Sequence, residues 1–137
     1  MASTYVKYTV AIEPMLEGMN AGTDSWKVAL AATVNIADTT FTAGTTDLAT
    51  ANGYTAGGNA AAVSTATQTA GTYKLVLTSP TAWTATGAGF TFRYAILWDT
   101  TTSTPVAYWD YGASQAVAAG ETVTVTLDAT NGVFQAT

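Results

Sequence analysis

Two aspartates in neighbouring strand-like runs have the clearest potential for chemistry in this chain. Asp99 ends the run at residues 90–99 and Asp110 lies in the run at 105–112, and the threonine-rich residues between the runs predict an antiparallel hairpin. Two carboxyl groups about 5–10 Å apart suffice for glycoside hydrolysis, in which one is the acid and the other the base or nucleophile. Together with Asp128, these carboxylates could also supply oxygen ligands to a calcium ion.

A structural role for the same side chains is the stronger interpretation. Asp99 begins a turn, where an aspartate commonly accepts hydrogen bonds from its own backbone, and Asp110 can pair across the strands with Arg93. The chain contains no histidine and no cysteine, so the usual general base and the thiolate metal ligands are missing. We therefore expect Arg93 and Asp110 to form a structural pair, and we expect no catalysis, no metal and no cofactor.

The glycine-rich residues 53–58 (GYTAGG) have a superficial similarity to a phosphate-binding loop. Such a loop needs a strand before it, a helix after it and usually a lysine, and the sequence predicts none of these here. Glycine also serves tight turns, because it adopts positive φ without a steric penalty. We interpret the segment as a turn.

The aromatic residues raise a different hypothesis, because flat rings can serve as platforms for sugars. In a β-sandwich, however, most aromatic side chains fill the core or a protein interface, where their burial is favourable. Trp98 and Trp109 lie within patterned strands, which favours the core. Glycan binding stays open as an alternative that could use the seven tyrosines or any of the four tryptophans, Trp26, Trp83, Trp98 and Trp109.

The charge of the chain argues against several classes of partner. Only 9% of the residues are charged, the net charge is −5, and the four basic residues are spread along the sequence. Nucleic-acid binding needs clustered lysine and arginine, and anionic membrane surfaces attract the same residues. We therefore expect neither a nucleic-acid nor a membrane partner. A surface with so little charge does little to repel other proteins, so it suits a molecule that its neighbours cover.

The N-terminal sequence predicts neither secretion by a leader nor insertion into a membrane. It has no basic segment followed by an apolar run, and no apolar stretch in the chain approaches the ~20 residues of a membrane-spanning helix. We expect synthesis in a cytoplasm. The uncharged, threonine-rich composition is nevertheless typical of proteins that work outside cells, and a virion component would satisfy both observations.

The elements that must position these residues are strands. Alternation of apolar and polar residues is clearest at residues 121–127 (ETVTVTL), and the pair Asn131-Gly132 favours a tight turn into a last strand. Pro14 and Gly18 indicate one short helix near the N-terminus. Further strands are predicted at residues 5–11, 26–32, 72–78, 82–85 and 132–137. The sequence thus predicts a mainly β fold, an antiparallel, jelly-roll-like β-sandwich.

The length predicts a single domain over residues 1–137, in which residues 1–25 form an N-terminal arm or an added strand. Residues 35–70 are the least patterned part, and we interpret them as a surface excursion or a set of weak edge strands. The best strands need neither residues 43–69 nor residues 5–10. We therefore expect both segments to contact other proteins, and a chain without residues 1–11 to fold. The predicted contact residues are Tyr5, Val6, Tyr8, Val10, Phe41, Leu48 and Tyr54.

Five short motifs, taken in order, resemble a group of small virion proteins of tailed bacteriophages. The motifs are WKVAL (26–30), GYTAGG (53–58), FRYAILWD (92–99), AYWDYG (107–112) and TLDATNGV (126–133). The resemblance implies a small β-sandwich without enzymatic activity, used as a head decoration protein or as another minor component of the particle.

The function implied by this resemblance is that of a capsid decoration or cement protein on the exterior of the virion, made in the host cytoplasm. Its partners would be the major capsid protein and neighbouring copies of itself, in a homo-oligomer for which a trimer is one option. The chain departs from the resemblance in its Ala/Thr-rich residues 43–69 and in the added strand at 5–11. The alternative is a tail- or fibre-associated domain that binds host glycans.

Overall fold

The computed structural model describes residues 3–137, and its regular structure is mostly β, with 43% of the chain in strands and 4% in helix. The elements are β1 (Thr4–Lys7), α1 (Ile12–Glu17), β2 (Trp26–Ala31), β3 (Asn59–Ala60), β4 (Val63–Thr69), β5 (Thr72–Leu77), β6 (Trp83–Thr84), β7 (Phe90–Asp99), β8 (Thr104–Val117), β9 (Thr122–Val123) and β10 (Phe134–Ala136). The predicted mainly β class, with antiparallel sheets and one short helix near the N-terminus, is confirmed. Within the described range, no helix is long and apolar enough to cross a membrane.

The hairpin of β7 and β8 lies in the middle of a five-stranded sheet with the order β1-β8-β7-β2-β3. β7 has the predicted bounds, whereas β8 extends beyond the predicted residues 105–112. Opposite Arg93 the register shifts, so residues 111–114 of β8 bulge outward, and Gly112 takes a φ of +81° there. β1 pairs with the outer edge of β8 as an added strand. Residues 1 and 2 of the predicted arm lie outside the described residues.

One face of the five-stranded sheet packs against two smaller sheets, of order β10-β5-β4 and β6-β9. That face is apolar because alternate residues of β2 are large hydrophobes, and Trp26, Val28 and Leu30 are all buried. They share the main core with Leu75 of β5 and with Val133, which directly precedes β10. Two sheet layers with a core between them make a β-sandwich.

The second face of the five-stranded sheet is covered by chain outside the strands. Phe41 stacks on Trp98 of β7, with ring centroids 4.0 Å apart and an interplanar angle of 13°. Tyr8 joins the same buried cluster together with Ile96. The least patterned segment therefore does more than lie on the surface, because its first half completes a core and its second half forms β3 and β4.

The clearest alternation in the sequence gives only a short strand. β9 ends at Val123, whereas Val125 and Leu127 are buried without continuing the ladder. The backbone N–H of Leu127 donates to Ser79 Oγ at 2.9 Å. The strand predicted over residues 121–127 is therefore wrong in its length. The alternation shows which side chains are buried, but it does not require that the backbone pairs with a neighbouring strand.

The turn between β4 and β5 holds one residue in an unfavourable backbone conformation. Ala70 and Gly71 are its two central residues, with φ of +50° and +83°, as in a type I′ turn. Positive φ is unfavourable for alanine but is tolerated by asparagine. We expect Ala70→Asn to raise the free energy of unfolding by about 1 kcal/mol. Urea denaturation measures this change, and a variant less stable than the parent protein would contradict it.

Candidate functional site

The predicted pair of Arg93 and Asp110 is present at the bulge of β8. Arg93 Nε donates to Asp110 Oδ1 at 2.8 Å and Arg93 Nη2 donates to Oδ2 at 3.0 Å, so the contact is bidentate. The backbone N–H of Gly112 also donates to Oδ1, at 2.8 Å. The hydrogen bond from Arg93 is the main cause that lowers the pKa of Asp110, and the Gly112 N–H adds to it. The carboxylate is thus held by the chain itself, and it fixes the bulge.

Asp99 is buried at the end of β7, where it organises the turn into β8. Its carboxylate accepts hydrogen bonds from the backbone N–H of Thr101 at 2.8 Å and from Thr102 Oγ1 at 2.9 Å. Burial is the main cause that raises the pKa of Asp99, and the neighbouring Asp24 carboxyl adds to the rise, whereas the hydrogen bonds from the two threonines oppose it. The predicted turn role of Asp99 therefore agrees with its contacts.

The two aspartates considered for hydrolysis are not brought together. Asp99 pairs with Thr104 at the turn end of the hairpin, whereas Asp110 pairs with Tyr94, five positions back along β7. At about 3.4 Å per residue, this offset separates the two backbones by about 17 Å, which exceeds the range of a glycosidase pair. A hairpin brings strands together, but its register decides which residues meet, and this register lacks the geometry for that reaction.

Asp128 caps the turn that leads into β10. Its Oδ1 accepts hydrogen bonds from the backbone N–H groups of Thr130 and Asn131, both at 2.8 Å. Hydrogen bonds from the backbone and side chain of Asn131 are the main cause that lowers the pKa of Asp128. In the predicted Asn131-Gly132 pair, Gly132 has a φ of +79°, whereas Asn131 is not among the described residues with positive φ. Among residues 3–137, no three side chains of the metal-ligating types converge on a metal site.

Asp99 should make stability depend on pH in a direction that a variant can isolate. Because folding raises the pKa of Asp99, its contribution to stability is fully present below the pKa of the unfolded chain and is lost as the pH rises through the folded value. We expect the free energy of unfolding, relative to that of Asp99→Asn, to increase as the pH falls from about 7 to about 4. Urea denaturation of both proteins across this range measures the difference. A difference that shrinks on acidification would contradict the role of burial.

Asp47, which was not among the residues predicted from the sequence, has a carboxylate whose two oxygens both accept hydrogen bonds. Asp47 is only 7% exposed. Its Oδ2 accepts hydrogen bonds from Tyr54 Oη at 2.5 Å and from the backbone N–H of Gly57 at 2.6 Å, and its Oδ1 accepts one from the N–H of Gly44 at 2.6 Å. Tyr54 Oη in turn accepts a hydrogen bond from the N–H of Leu30 at 3.0 Å. Through these hydrogen bonds, the Asp47 network connects residues 44–57, which lie between β2 and β3, to the backbone of β2.

One sequence signal points to Asp47 itself, although not to its partners. Asp47 is the only charged residue between positions 39 and 73. A single acid in a long uncharged segment must either face solvent or be paired internally, because an isolated buried carboxylate is very unfavourable. Burial is also the main cause that raises the pKa of Tyr54, and its hydrogen bond to the Asp47 carboxylate is the next.

The glycine-rich residues 53–58 form a packed turn. Gly58 has a φ of +75°, and a Cβ at this position would lie 1.9 Å from the carbonyl oxygen of Val28, so only glycine fits where the chain passes over β2. The N–H of Gly57 donates to the chain's own Asp47 carboxylate. An acceptor within the protein therefore occupies one of the N–H groups that a phosphate would need.

Three of the predicted contact residues lie inside the protein. Tyr8, Phe41 and Tyr54 are 0%, 4% and 2% exposed, so their side chains cannot touch a partner of the folded chain. Their place among the contact residues is a wrong prediction, because an absence of pattern in their segments does not mean that the segments stay outside the core. The other contact residues reach the surface at least in part: Tyr5, Val6, Val10 and Leu48.

Two exposed apolar residues that were not predicted from the sequence are Ile12, two positions after Val10, and Ile36, whose backbone contacts Thr9. Ile12 is 43% exposed and Ile36 is 38% exposed. The backbone N–H and Oγ1 of Thr9 both donate to the carbonyl oxygen of Ile36, at 3.2 and 3.1 Å, so this loop runs beside the residues that precede α1. We refer to Val10, Ile12 and Ile36 as the isoleucine patch.

One surface cleft is lined by partly exposed aromatic rings. Trp26, Trp83 and Trp98 are buried, whereas Trp109 is half-buried and lies at the edge of the main sheet. Its ring meets that of Tyr5 edge to face, with centroids 5.6 Å apart. The two rings line a cleft of about 380 Å³, whose other walls are Thr126, Asp128, Gly132, Val133, Phe134 and Gln135.

A substitution at Tyr8 can test the effect of its buried hydroxyl on stability. It is buried and has no hydrogen-bond partner among the described residues, and burial is the main cause that raises its pKa. Since an unpaired buried hydroxyl is unfavourable, we expect Tyr8→Phe to raise the free energy of unfolding by about 1 kcal/mol. Chemical denaturation at neutral pH measures this change. A loss of stability would mean that the hydroxyl has a partner that the contacts above do not include.

Comparisons with known proteins identify no relative of this chain. No protein-family model, no curated protein and no solved structure matches it significantly. The resemblance of its five motifs to phage virion proteins remains a prediction from the sequence.

Proposed function

We propose that the chain is a structural virion protein without enzymatic activity, a capsid decoration or cement protein that binds the outer face of a phage head and stabilises it. The observation that carries this proposal is how the chain uses its aspartates. Asp47, Asp99, Asp110 and Asp128 all accept hydrogen bonds from the chain's own backbone. Carboxylates that accept hydrogen bonds from the chain's own backbone stabilise its loops. The carboxylates of a hydrolytic site have to face a substrate instead.

The surface composition supports attachment to other proteins. Only 9% of the residues are charged, so little charge has to be desolvated when a neighbouring protein covers the surface. A contact of about 1,600 Å² in total is enough for specific attachment, and repetition over a symmetric shell adds avidity. The major capsid protein and neighbouring copies of the chain are the proposed partners, and the exterior of the virion is the proposed location.

The isoleucine patch is the proposed contact with the shell. Large apolar side chains that stay exposed in a folded protein are candidates for a buried interface, especially where polar residues surround them. Val10 was already predicted as a contact residue, and Ile12 and Ile36 add two exposed apolar side chains to it.

Heads that lack the chain provide the test. Purified protein is added to heads from a phage whose copy of this gene is deleted, and bound protein is measured by co-sedimentation and by its position in a particle map. We expect saturable binding in a fixed ratio to the shell protein, and heads that resist heating better when decorated. Ile36→Asp should weaken binding by about tenfold or more, since a charge at an apolar contact is desolvated without a partner.

The matched control is Ser114→Asp, which adds the same charge at an exposed position of the β8 bulge. It should bind as the parent protein does. Absence of binding to heads, or recovery of the protein only with tails, would contradict the proposed function. Equal binding by Ile36→Asp and Ser114→Asp would contradict only the role of the isoleucine patch.

Glycan binding is a second candidate, and the cleft beside Trp109 favours it. A partly exposed aromatic ring next to hydrogen-bonding groups, among them the Asp128 carboxylate, suits a sugar, which presents an apolar face and a rim of hydroxyls. Tyr5 Oη donates to the carbonyl oxygen of Val133 at 3.1 Å, which holds one ring of the cleft in place. The Gln135 side chain donates to Asn131 O at 2.8 Å, leaving its own oxygen as an acceptor.

Tryptophan fluorescence can test this candidate, because Trp26, Trp83 and Trp98 are buried and Trp109 is the partly exposed one. Titration with neutral host polysaccharide should shift the emission of the parent protein. Trp109→Ala should abolish the shift, and Trp109→Phe, which keeps a ring, should retain binding as measured by calorimetry. Absence of any shift and of any heat would contradict glycan binding and leave the head-binding proposal unaffected.

A further inference from the structure

We propose that β4 pairs with β4 of a second copy of the chain, antiparallel, so that two three-stranded sheets join into one continuous sheet across a twofold axis. The inference rests on the edge of this sheet and not on attachment to a head. It names the surface through which two copies meet, and it predicts a dimer as the unit of assembly.

β4 presents a free edge. It is the outermost strand of the sheet ordered β10-β5-β4, and it is seven residues long with the sequence VSTATQT. The pairing of Thr69 with Thr72 closes the turn to β5, so alternate residues of β4 direct their N–H and C=O groups away from β5. These outward groups belong to Ala66 and Gln68. Within residues 3–137, the outward groups of β4 have no hydrogen-bond partner.

The edge lacks the devices that normally keep strands from associating. Proteins protect an edge with lysine, proline, a bulge or a very short strand. β4 has neither charge nor proline, and its one bulge lies between Val63 and Thr65, so the stretch from Thr65 to Thr69 is regular. The other outermost strands of the described sheets are shorter, with four residues in β1, three in β10 and two each in β3, β6 and β9.

A second copy is the occupant that this edge fits best. An antiparallel pair centred on Thr67 places Ala66 opposite Gln68 of the second copy and Gln68 opposite its Ala66, and each such pair exchanges both backbone hydrogen bonds. The outward groups of both copies are therefore satisfied at once. Thr65 then faces Thr69 of the second copy, and cross-strand threonine pairs are favourable in sheets.

Electrostatics does not oppose this pairing, although the chain has a net charge of −5. Within this sheet, the charge nearest to the edge is on Lys74, which lies opposite Thr67 in β5. In the dimer, the two Lys74 backbones would be three strand spacings apart, about 14 Å. That distance exceeds the Debye length of about 8 Å at physiological ionic strength, so their repulsion is largely screened.

Disulfide trapping tests the pair and its register, because the chain contains no cysteine of its own. In the proposed register Thr67 faces Thr67 of the second copy at a non-hydrogen-bonded position, where Cα atoms are about 4.5 Å apart, within the range of a disulfide. Mild oxidation of Thr67→Cys should give a covalent dimer. Thr65→Cys is the matched control, because its opposite residue is Thr69, and it should remain largely monomeric.

Sedimentation equilibrium gives an independent measurement without oxidation. The parent protein should form a dimer, and Gln68→Pro, which removes an outward N–H without breaking a bond to β5, should weaken it by about tenfold or more. Circular dichroism establishes that the variant is folded. A parent protein that is monomeric at every concentration, a Gln68→Pro variant that dimerises equally well, or equal trapping of Thr65→Cys and Thr67→Cys would overturn the proposal.

Discussion

Asp47→Ala is expected to lower the free energy of unfolding by about 3–5 kcal/mol. The substitution removes the acceptor for Tyr54 Oη and for the N–H groups of Gly44 and Gly57, all of which are within 2.6 Å of the carboxylate. Tyr54 and Gly57 are buried whereas Gly44 is exposed, so two donors would be left buried and unpaired, each with a desolvation penalty of about 1–3 kcal/mol. Urea denaturation at pH 7 measures the loss, which is large relative to the total stability of an ordinary domain.

Two milder variants separate the network from the packing around it. Asp47→Asn keeps an acceptor oxygen and the volume of the side chain, so it should lose less stability than Asp47→Ala. Tyr54→Phe removes one hydroxyl, which leaves the N–H of Leu30 without its acceptor, and should cost about 1–3 kcal/mol. If Asp47→Ala were as stable as the parent protein, the carboxylate would not be what fastens this segment to the sheet.

Removal of residues 1–11 is expected to destabilise the protein by more than about 3 kcal/mol, contrary to the expectation from the sequence that such a chain folds. The deletion removes β1 from the edge of β8, the side chain of Tyr8 from a buried cluster, and the hydrogen bond of Tyr5 to Val133. Loss of one fully buried aromatic side chain alone has a typical cost of about 3–5 kcal/mol. Thermal and urea unfolding of the truncated chain measure the effect.

Point variants distinguish the loss of packing from a general effect of truncation. Tyr8→Ala should reproduce most of the loss, whereas Tyr8→Phe, which keeps the ring, should not. A truncated chain that unfolds at the same urea concentration as the full chain would contradict the packing of Tyr8. The same result would restore the idea of a detachable arm, and deletion could then be used to test binding to heads.

The sequence predicts best the strands whose own residues alternate between apolar and polar or favour an extended backbone. β7 and β5 alternate or carry β-branched and aromatic residues along their whole length, and their bounds agree with the prediction closely. The residues 35–70 gave no such pattern, because small residues fit many environments. The burial of Phe41 and Tyr54 depends on partners far away in the sequence, Trp98 for Phe41 and Leu30 of β2 for Tyr54, which no local pattern encodes.

In the candidate site, too, local features could be predicted from the sequence and features that depend on the complete fold could not. The Arg93–Asp110 pair was predictable, because it joins adjacent strands of one hairpin. The separation of Asp99 from Asp110 could also have been found by counting residues from the turn, since Asp99 starts it and Asp110 lies well beyond its end. The Asp47 network could not be derived in this way, because its members come from a loop, a turn and a strand whose meeting depends on the complete fold.

The contact between Trp98 and the loop above it has a kinetic consequence. The indole Nε1 of Trp98 donates to the carbonyl oxygen of Gly57, a residue 41 positions away in the chain, at 3.0 Å. A hairpin such as that of β7 and β8 can form within about 1–10 μs, whereas folds dominated by distant contacts take about milliseconds to seconds. The fluorescence of Trp98 should therefore reach its native value late in refolding, when the loop closes over the finished sheet.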